Sequence, residues 1–301
     1  MKIKFIALSA LAACSAASAQ SSVTLYGVAD ISLAKVTGSS VQMAGLAPLT
    51  NGTSRFGLRG TEDMGGGLKA SFNFEAEVNP ETGATATATF ARAANMSLSG
   101  GFGTLKMGRT LNPSFYGVTA WELTGAANYS VVSSQFSYAG SSRNSSELSY
   151  TTPNFGGVTL TLGKVLKGDN SNVGKVDLNL IYRNGPLAAS LAYNKLDNTP
   201  KNYVLGVAYD FGSFKLAGSA QDVTGAGRGK GFTLGGTVPL GAVSLIVDFA
   251  RDTKNKDSDY LLEARYALSK RTFIYGAFQH NGKGKAAKDV DSTMLGIRHN
   301  F

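Results

Sequence analysis

From residue 22 onward, apolar and polar positions alternate by twos along most of the chain. Val23, Leu25, Ala29, Ile31 and Leu33 share one side of an extended backbone, and Ser22, Thr24, Asp30 and Ser32 share the other. Leu68, Ala70, Phe72, Phe74, Ala76 and Val78 oppose Lys69, Ser71, Asn73, Glu75 and Glu77. The pattern returns in Val176-Leu178-Leu180-Tyr182, Tyr203-Leu205-Val207-Tyr209-Phe211, Val243-Leu245-Val247-Phe249 and Tyr260-Leu262-Ala264-Tyr266-Leu268, with Asp177, Asp210, Asp248, Glu263 and Arg265 between the apolar members. A period of two predicts strands with one apolar and one polar face. Helix signals are poor, because 37 glycines interrupt the chain and Thr, Val, Ser and Tyr favour strands. No segment beyond residue 20 reaches the roughly 18 to 20 apolar residues of a spanning helix.

About sixteen such segments are separated by turns of alternating length. Short ones fall at 62–67, 100–103, 153–157, 184–186, 211–213 and 239–241, and longer polar ones at 167–175, 222–231 and 281–289. Short turns at one end and long loops at the other are the habit of barrels that cross a membrane. An unpaired backbone group in hydrocarbon costs several kcal/mol, so the last strand must pair with the first. The ending fits: Thr293, Leu295, Ile297, His299 and Phe301 alternate with Met294, Gly296, Arg298 and Asn300. The predicted fold is all-β, a transmembrane antiparallel β-barrel of about 16 strands.

The N-terminus supplies the route to a membrane. Lys2 and Lys4 precede a short apolar run from Phe5 to Ala13, then Ala17-Ser18-Ala19, a pattern read by signal peptidase. Residues 1–19 are read as a signal peptide and 20–301 as one barrel domain. Leu11-Ala12-Ala13-Cys14 also resembles a lipoprotein cleavage box, which would make Cys14 a lipidated first residue; Ala-Ser-Ala is the preferred site. Cleavage there removes the single Cys, so no disulfide is expected. It also removes Lys2 and Lys4, lowering the net charge from +9 to +7. Such a charge raises nucleic acid as a partner, but export argues against it and points to small anions or lipid phosphates.

Catalytic chemistry finds little support. The chain has two histidines: His280 at a loop entrance and His299 on the lipid side near a membrane boundary. There is no Gly-x-Ser-x-Gly, no metal-ligand spacing and no phosphate-binding loop of the Walker type. Gly225 to Gly231 is glycine-rich but lies between strands and reads as a flexible loop. No cofactor, metal or catalytic residue is expected; a barrel hydrolase is the alternative class.

Five segments carry a resemblance. Gln20-Ser-Ser-Val-Thr-Leu-Tyr-Gly27, Ser54-Arg-Phe-Gly-Leu-Arg-Gly-Thr-Glu-Asp63, Leu98-Ser-Gly-Gly-Phe-Gly-Thr-Leu105, Tyr150 to Gly157 and Gly296-Ile-Arg-His-Asn-Phe301 resemble, in order, the general diffusion porins of Gram-negative bacteria, most of all their betaproteobacterial branch. The resemblance implies a sixteen-stranded barrel, a homotrimer packed on apolar outer faces, and a third external loop, about Leu111 to Ser141, folded into the lumen. It also implies a constriction with arginines on the wall opposite that loop, matched by Arg55, Arg92 and Arg143. Glu122 is the one clear acid on the inward segment. Strict alternation puts Arg92 on the face of Ala94, Met96 and Leu98, where it would cost roughly 2 to 4 kcal/mol in mid-bilayer. A β-bulge between Arg92 and Met96 is predicted to turn it inward.

The resulting expectation is a water-filled channel for small hydrophilic solutes, selective for anions. Alternation assigns Asp30, Arg59, Lys69, Glu75, Glu147 and Arg298 to the lumen lining, with Arg59 alternatively a structural partner of Glu75. Lys167, Lys175, Lys230, Lys283, Lys285 and Lys288 would draw anions to the mouth or bind lipopolysaccharide phosphates. Tyr116 and Trp121 on the inward loop have two readings, shaping the pore or packing, with packing preferred. Phe301 is the C-terminal residue offered to the barrel assembly machinery, and outer-membrane lipid is the surrounding partner. A substrate-specific channel remains a further reading, and a surface adhesin a weaker one because the loops are short.

Overall fold

The computed structural model describes residues 22–282 and 288–301. The expected signal peptide, Cys14, Lys283 and Lys285 lie outside the described residues. Among the described residues seventeen strands form one antiparallel sheet: β1 (Ser22–Val36), β2 (Gln42–Ala44), β3 (Arg55–Asp63), β4 (Lys69–Glu77), β5 (Ala93–Gly100), β6 (Gly103–Leu111), β7 (Arg143–Thr151), β8 (Val158–Val165), β9 (Lys175–Asn184), β10 (Leu187–Leu196), β11 (Asn202–Asp210), β12 (Lys215–Asp222), β13 (Lys230–Leu240), β14 (Val243–Asp252), β15 (Asp257–Ala267), β16 (Thr272–Asn281) and β17 (Val290–Asn300). Sixteen of them close a barrel, and the three-residue β2 is an addition.

Closure runs through β1, which pairs with β17 from Val28↔Asn300 to Val36↔Ser292 on one edge. On its other edge it pairs with β3 from Ser22↔Thr61 to Val28↔Arg55, and with β2 at Ser32–Ala34. Between those two stretches Ser54 replaces a strand partner: its hydroxyl accepts from the Asp30 amide at 2.8 Å and donates to the Asp30 carbonyl at 2.9 Å. Gly27 and Phe301 exchange two backbone hydrogen bonds of 3.0 Å at the seam. The Phe301 ring fills the place a side chain at 27 would need, so only glycine fits there.

The burial pattern is the reverse of a soluble core. Val23, Leu25, Met96, Met107, Leu205, Leu234 and Leu295 point outward and are at least 60 % exposed. The inward positions between them are polar and covered, among them Asp30, Asn95, Asn179, Ser190 and Gln221. What covers many of them is the segment between β6 and β7, which folds into the barrel carrying α1 (Pro113–Thr119) and α2 (Val131–Phe136). Asn112 caps α1 by accepting from the Phe115 amide at 2.8 Å, with Pro113 in the first turn, where its missing N–H costs nothing. Ser130 caps α2 through the Val132 amide.

Small residues on the wall make room for this loop. A side chain on Gly206 of β11 would collide with the Trp121 indole. Gly163 of β8 faces Pro113, and Gly117 of α1 lies against Ala192 of β10. Polar groups then fix the loop in place. The Ser114 amide donates to Asp177 at 2.6 Å, Asn179 donates to the Pro113 carbonyl at 2.6 Å, and Gln135 donates to Asp259 at 2.8 Å.

Candidate functional site

With the loop packed on one side of the barrel, the remaining lumen runs along the wall of β3 to β7. Three spaces follow one another there. The outer, about 610 Å³, shares Arg55, Arg92, Leu111 and Arg143 with the middle. The middle, about 140 Å³, shares Asn73, Asn95 and Lys106 with the inner, about 270 Å³. The middle space is the smallest of the three and shares lining residues with each of the others, and its charged lining is Arg55, Arg92, Arg143 and Lys106 against Glu75.

The charges are not equally free. Glu75 receives the Arg92 Nε at 2.7 Å, the Arg55 Nε at 3.5 Å and the Tyr26 hydroxyl at 2.9 Å. Arg92 also reaches Glu77 at 3.5 Å. Arg143 donates to the Arg92 carbonyl at 2.9 Å, and among the described residues no carboxylate lies within ion-pair distance of Arg143 or Lys106. The surplus positive charge is thus carried mainly by these two. Neither the alternation nor the family resemblance singled out Lys106, although its place between the outward-facing Leu105 and Met107 assigns it to the lumen.

Several expectations need correction. The β-bulge near Arg92 is absent: β4 and β5 pair without a register shift. Arg92 instead precedes β5 in a bend, where it escapes the alternation and turns to Glu75. The shift lies between Gly108 and Thr110, opposite β7. Glu122 does not line the opening; it is 9 % exposed, and its carboxylate accepts from Thr124, Ser130 at 2.7 Å and the Ala126 amide at 2.8 Å. Asp30 and Glu147 face inward but are covered, by the segment around Gly52 and by the inward loop near Pro113. Arg59 does not pair with Glu75; it lies over the Tyr26 ring, 4.9 Å from its centre, and lines the inner space. Lys69 is exposed at the short-turn end, and Arg298 lines the outer space while donating to Asn51 at 2.7 Å.

The lysines expected at the mouth divide. Lys175 is buried under the inward loop, 2.8 Å from Asp177, and Lys230 lies 3.6 Å from Asp222. Lys167 is bonded to Asp197 at 2.8 Å, and that hydrogen bond holds the Asp197 carboxyl below its ordinary pKa. Lys175→Ala would leave Asp177 buried without a counter-ion, which costs about 3–5 kcal/mol. Urea unfolding in detergent should show that loss, and Lys175→Met combined with Asp177→Asn should recover most of it.

One feature escaped the alternation altogether. The segment 45–54 also enters the lumen, and Asn51 joins the two inward segments to the wall. Asn51 belongs to no strand; its backbone N–H donates to Tyr275 at 3.0 Å and its side chain donates to Tyr129 at 2.8 Å. Tyr275 donates to Asp30 at 2.7 Å, and Tyr129 to Glu263 at 2.6 Å. Arg265 completes the array by bonding Glu263 at 2.6 Å and the Thr124 carbonyl at 2.7 Å. His280 and His299 stand apart from the lumen path, bonded to Asp291 and Thr272.

Comparison with known proteins bears on what this path does. The chain matches the Gram-negative porin family over residues 7–286. It is 35% identical to outer membrane porin protein 32 of Delftia acidovorans, over 100% of both chains. It is 28% identical to an outer membrane porin protein of Bordetella pertussis, covering 95% of this chain and 96% of the relative. Among solved structures it is similar to an anion-selective porin from Comamonas acidovorans, with a TM-score of 0.76, 28% identity, and 94% and 100% of the two chains covered. A mutant porin of Rh. blastica shares the fold at a TM-score of 0.72 and 16% identity, over 93% of this chain and 100% of that one.

Proposed function

The chain belongs to the Gram-negative porin family and is an outer-membrane β-barrel rather than an enzyme, and from that premise we propose that its channel selects anions through the basic wall of its constriction. The observation that carries this reading is the lining of the narrowest space, four cationic side chains to one acid. Arginine keeps its charge at any relevant pH. Fixed charges between walls of low dielectric focus a potential of several kT, which concentrates ions of one sign and excludes the other. Rings of basic side chains act in this way in anion pores. The Comamonas structure, named as anion-selective, supports the same sign.

Hydrated solutes pass by diffusion, with size limited by the inward loop and sign by Arg55, Arg92, Arg143 and Lys106. Arg298 at the outer space and Arg59 at the inner space extend the positive field to both sides. The apolar outer face suits lipid and, in part, association as a homotrimer; among the described loop lysines the exposed Lys288 suits lipopolysaccharide phosphates, whereas Lys175 is buried and Lys167 and Lys230 are paired with acids. Phe301 serves as the signal to the assembly machinery in this reading. Reversal potential under a potassium chloride gradient across a planar bilayer tests the main point. The expected sign is that of an anion-selective channel; a zero potential, or the cation sign, would discard the filter.

A further inference from the structure

We infer that a row of lysines on the outer wall, at the loop ends of β8 to β11, is a docking site for the phosphorylated headgroup of lipopolysaccharide; this rests on the proposal above that the outer face meets that lipid. Lys164 of β8 stands opposite Val176 of β9, and Val176 opposite Lys195 of β10. Lys201, one residue before β11, continues the register beside Lys195. Side chains of this row point outward. Lys164, Val176, Lys195 and Lys201 are exposed, whereas the alternate positions Gly163, Val165, Asp177 and Asn194 are buried on the lumen side. Among the described residues no carboxylate lies within ion-pair distance of any of the three lysines. Two acids at the adjoining loop ends are engaged elsewhere, Asp197 by Lys167 at 2.8 Å and Asp222 by Lys230 at 3.6 Å.

A lysine on the lipid face is costly at mid-bilayer and almost without cost beside the headgroups. The row stands at the headgroup level. Residues 166–174 and 197–201 form the longer connections next to the lysines, and the short turn 185–186 closes β9 and β10 at the opposite end. Long loops of such barrels face the cell exterior, so the lysines meet the external leaflet. Below them the wall changes in the order a glycolipid requires. Leu162, Leu178, Tyr193 and Tyr203 pair in turn across the same strands, with the two tyrosine rings 5.3 Å apart. Tyrosine favours the boundary between headgroup and hydrocarbon. The next level down is leucine on all four strands: Leu160, Leu180, Leu191 and Leu205. Neighbouring strands lie about 4.8 Å apart, so the backbones of Lys164 and Lys195, two strands removed, are roughly 10 Å apart. A phospholipid brings one phosphate to such a row. The lipid part of lipopolysaccharide brings two, on one sugar headgroup above several acyl chains, and so matches the spaced cations and the apolar wall together.

The test is titration of the detergent-solubilised barrel with lipid A carrying both phosphates, followed by native mass spectrometry, with phosphatidylglycerol as the comparison lipid. Lys164→Gln combined with Lys195→Gln should weaken lipid A binding by about thirtyfold, the effect of two lysines at an anionic surface. Lys35→Gln combined with Lys254→Gln removes the same charge from exposed positions off the row, and should change the affinity by less than about twofold. Single-channel conductance of the Lys164, Lys195 variant should match the wild type, because both side chains face away from the lumen; a changed conductance would overturn that placement. Equal losses in the two double variants, or equal wild-type affinity for phosphatidylglycerol, also overturn the site. Lipid A binding that survives Lys164→Gln with Lys195→Gln discards this site alone, whereas a wild-type barrel that binds no lipid A discards lipopolysaccharide as a partner as well.

Discussion

Glu75→Gln should raise the ratio of anion to cation permeability, and Arg143→Gln should lower it, each by roughly sevenfold at about 0.1 M salt. A unit charge about 7 Å from a passing ion, at an effective dielectric near 40, changes the ion's energy by about 1.2 kcal/mol. A Debye length of about 10 Å leaves roughly half of that. Anion and cation shift in opposite directions, so the ratio changes by about 1.2 kcal/mol, or roughly sevenfold. Glu75→Gln conserves volume, whereas Arg143→Gln removes two heavy atoms; the ratio of permeabilities is compared because a change in width acts on both ions alike. The sign is the discriminating feature. Glu75 draws off charge from Arg55 and Arg92, at 3.5 and 2.7 Å, so neutralising it frees Arg55 and leaves Arg92 only its longer contact to Glu77 at 3.5 Å. Arg143 has no such partner among the described residues, and its loss is uncompensated. Reversal potentials of the two variants moving in the same direction would refute the charge argument, whatever their size.

Gly206→Leu should release the inward loop. Trp121 is 3% exposed and lies where any side chain on residue 206 would sit. Forcing extra carbons into a packed contact costs about 1–3 kcal/mol, and the indole has no hydrogen bond at Nε1 to hold it. The barrel wall is constrained by ladders on both edges of β11, so the loop is the part that moves. Trp121 is the single tryptophan of the chain, which makes its fluorescence a direct report on the loop. Emission should shift to the red and become accessible to acrylamide, and single-channel conductance should rise as the constriction widens. Blue emission with unchanged quenching would mean that the loop does not depend on this contact.

The alternation of residues disclosed the face of each strand with good fidelity, because lipid tolerates few exceptions on one side and water few on the other. Val243-Leu245-Val247 and Tyr203-Leu205-Val207 were legible for that reason. Depth was not. Asp30, Glu147 and Asp177 have the alternation of lumen residues, yet each lies under a segment folded in from elsewhere along the chain. A period of two states which way a side chain points and nothing about what later covers it. Glu122 shows the same limit in a loop, where its carboxylate is consumed by neighbours two to eight residues away. The docking of the loop also depends on pairs that mean little singly. Gly206 reads as a weak strand residue until Trp121 is known to lie on it. Asn51 belongs to no periodic segment, and its role follows from partners at Tyr129, Glu263 and Tyr275.

The seam between Gly27 and Phe301 sets the order of events in biogenesis. A chain made from its N-terminus releases β1 first and β17 last, so the edge of β1 that pairs with β17 must wait for nearly the whole polypeptide. Pairing across so great a separation in sequence is slow, because chain entropy is lost before the contacts are gained. During that delay an unpaired, partly apolar edge is open to the wrong neighbour. Hairpins such as β9 with β10 can form at once, across a turn of two residues. Closure of the barrel is therefore timed by β17, and a chain lacking that strand would keep its local hairpins but remain an open sheet.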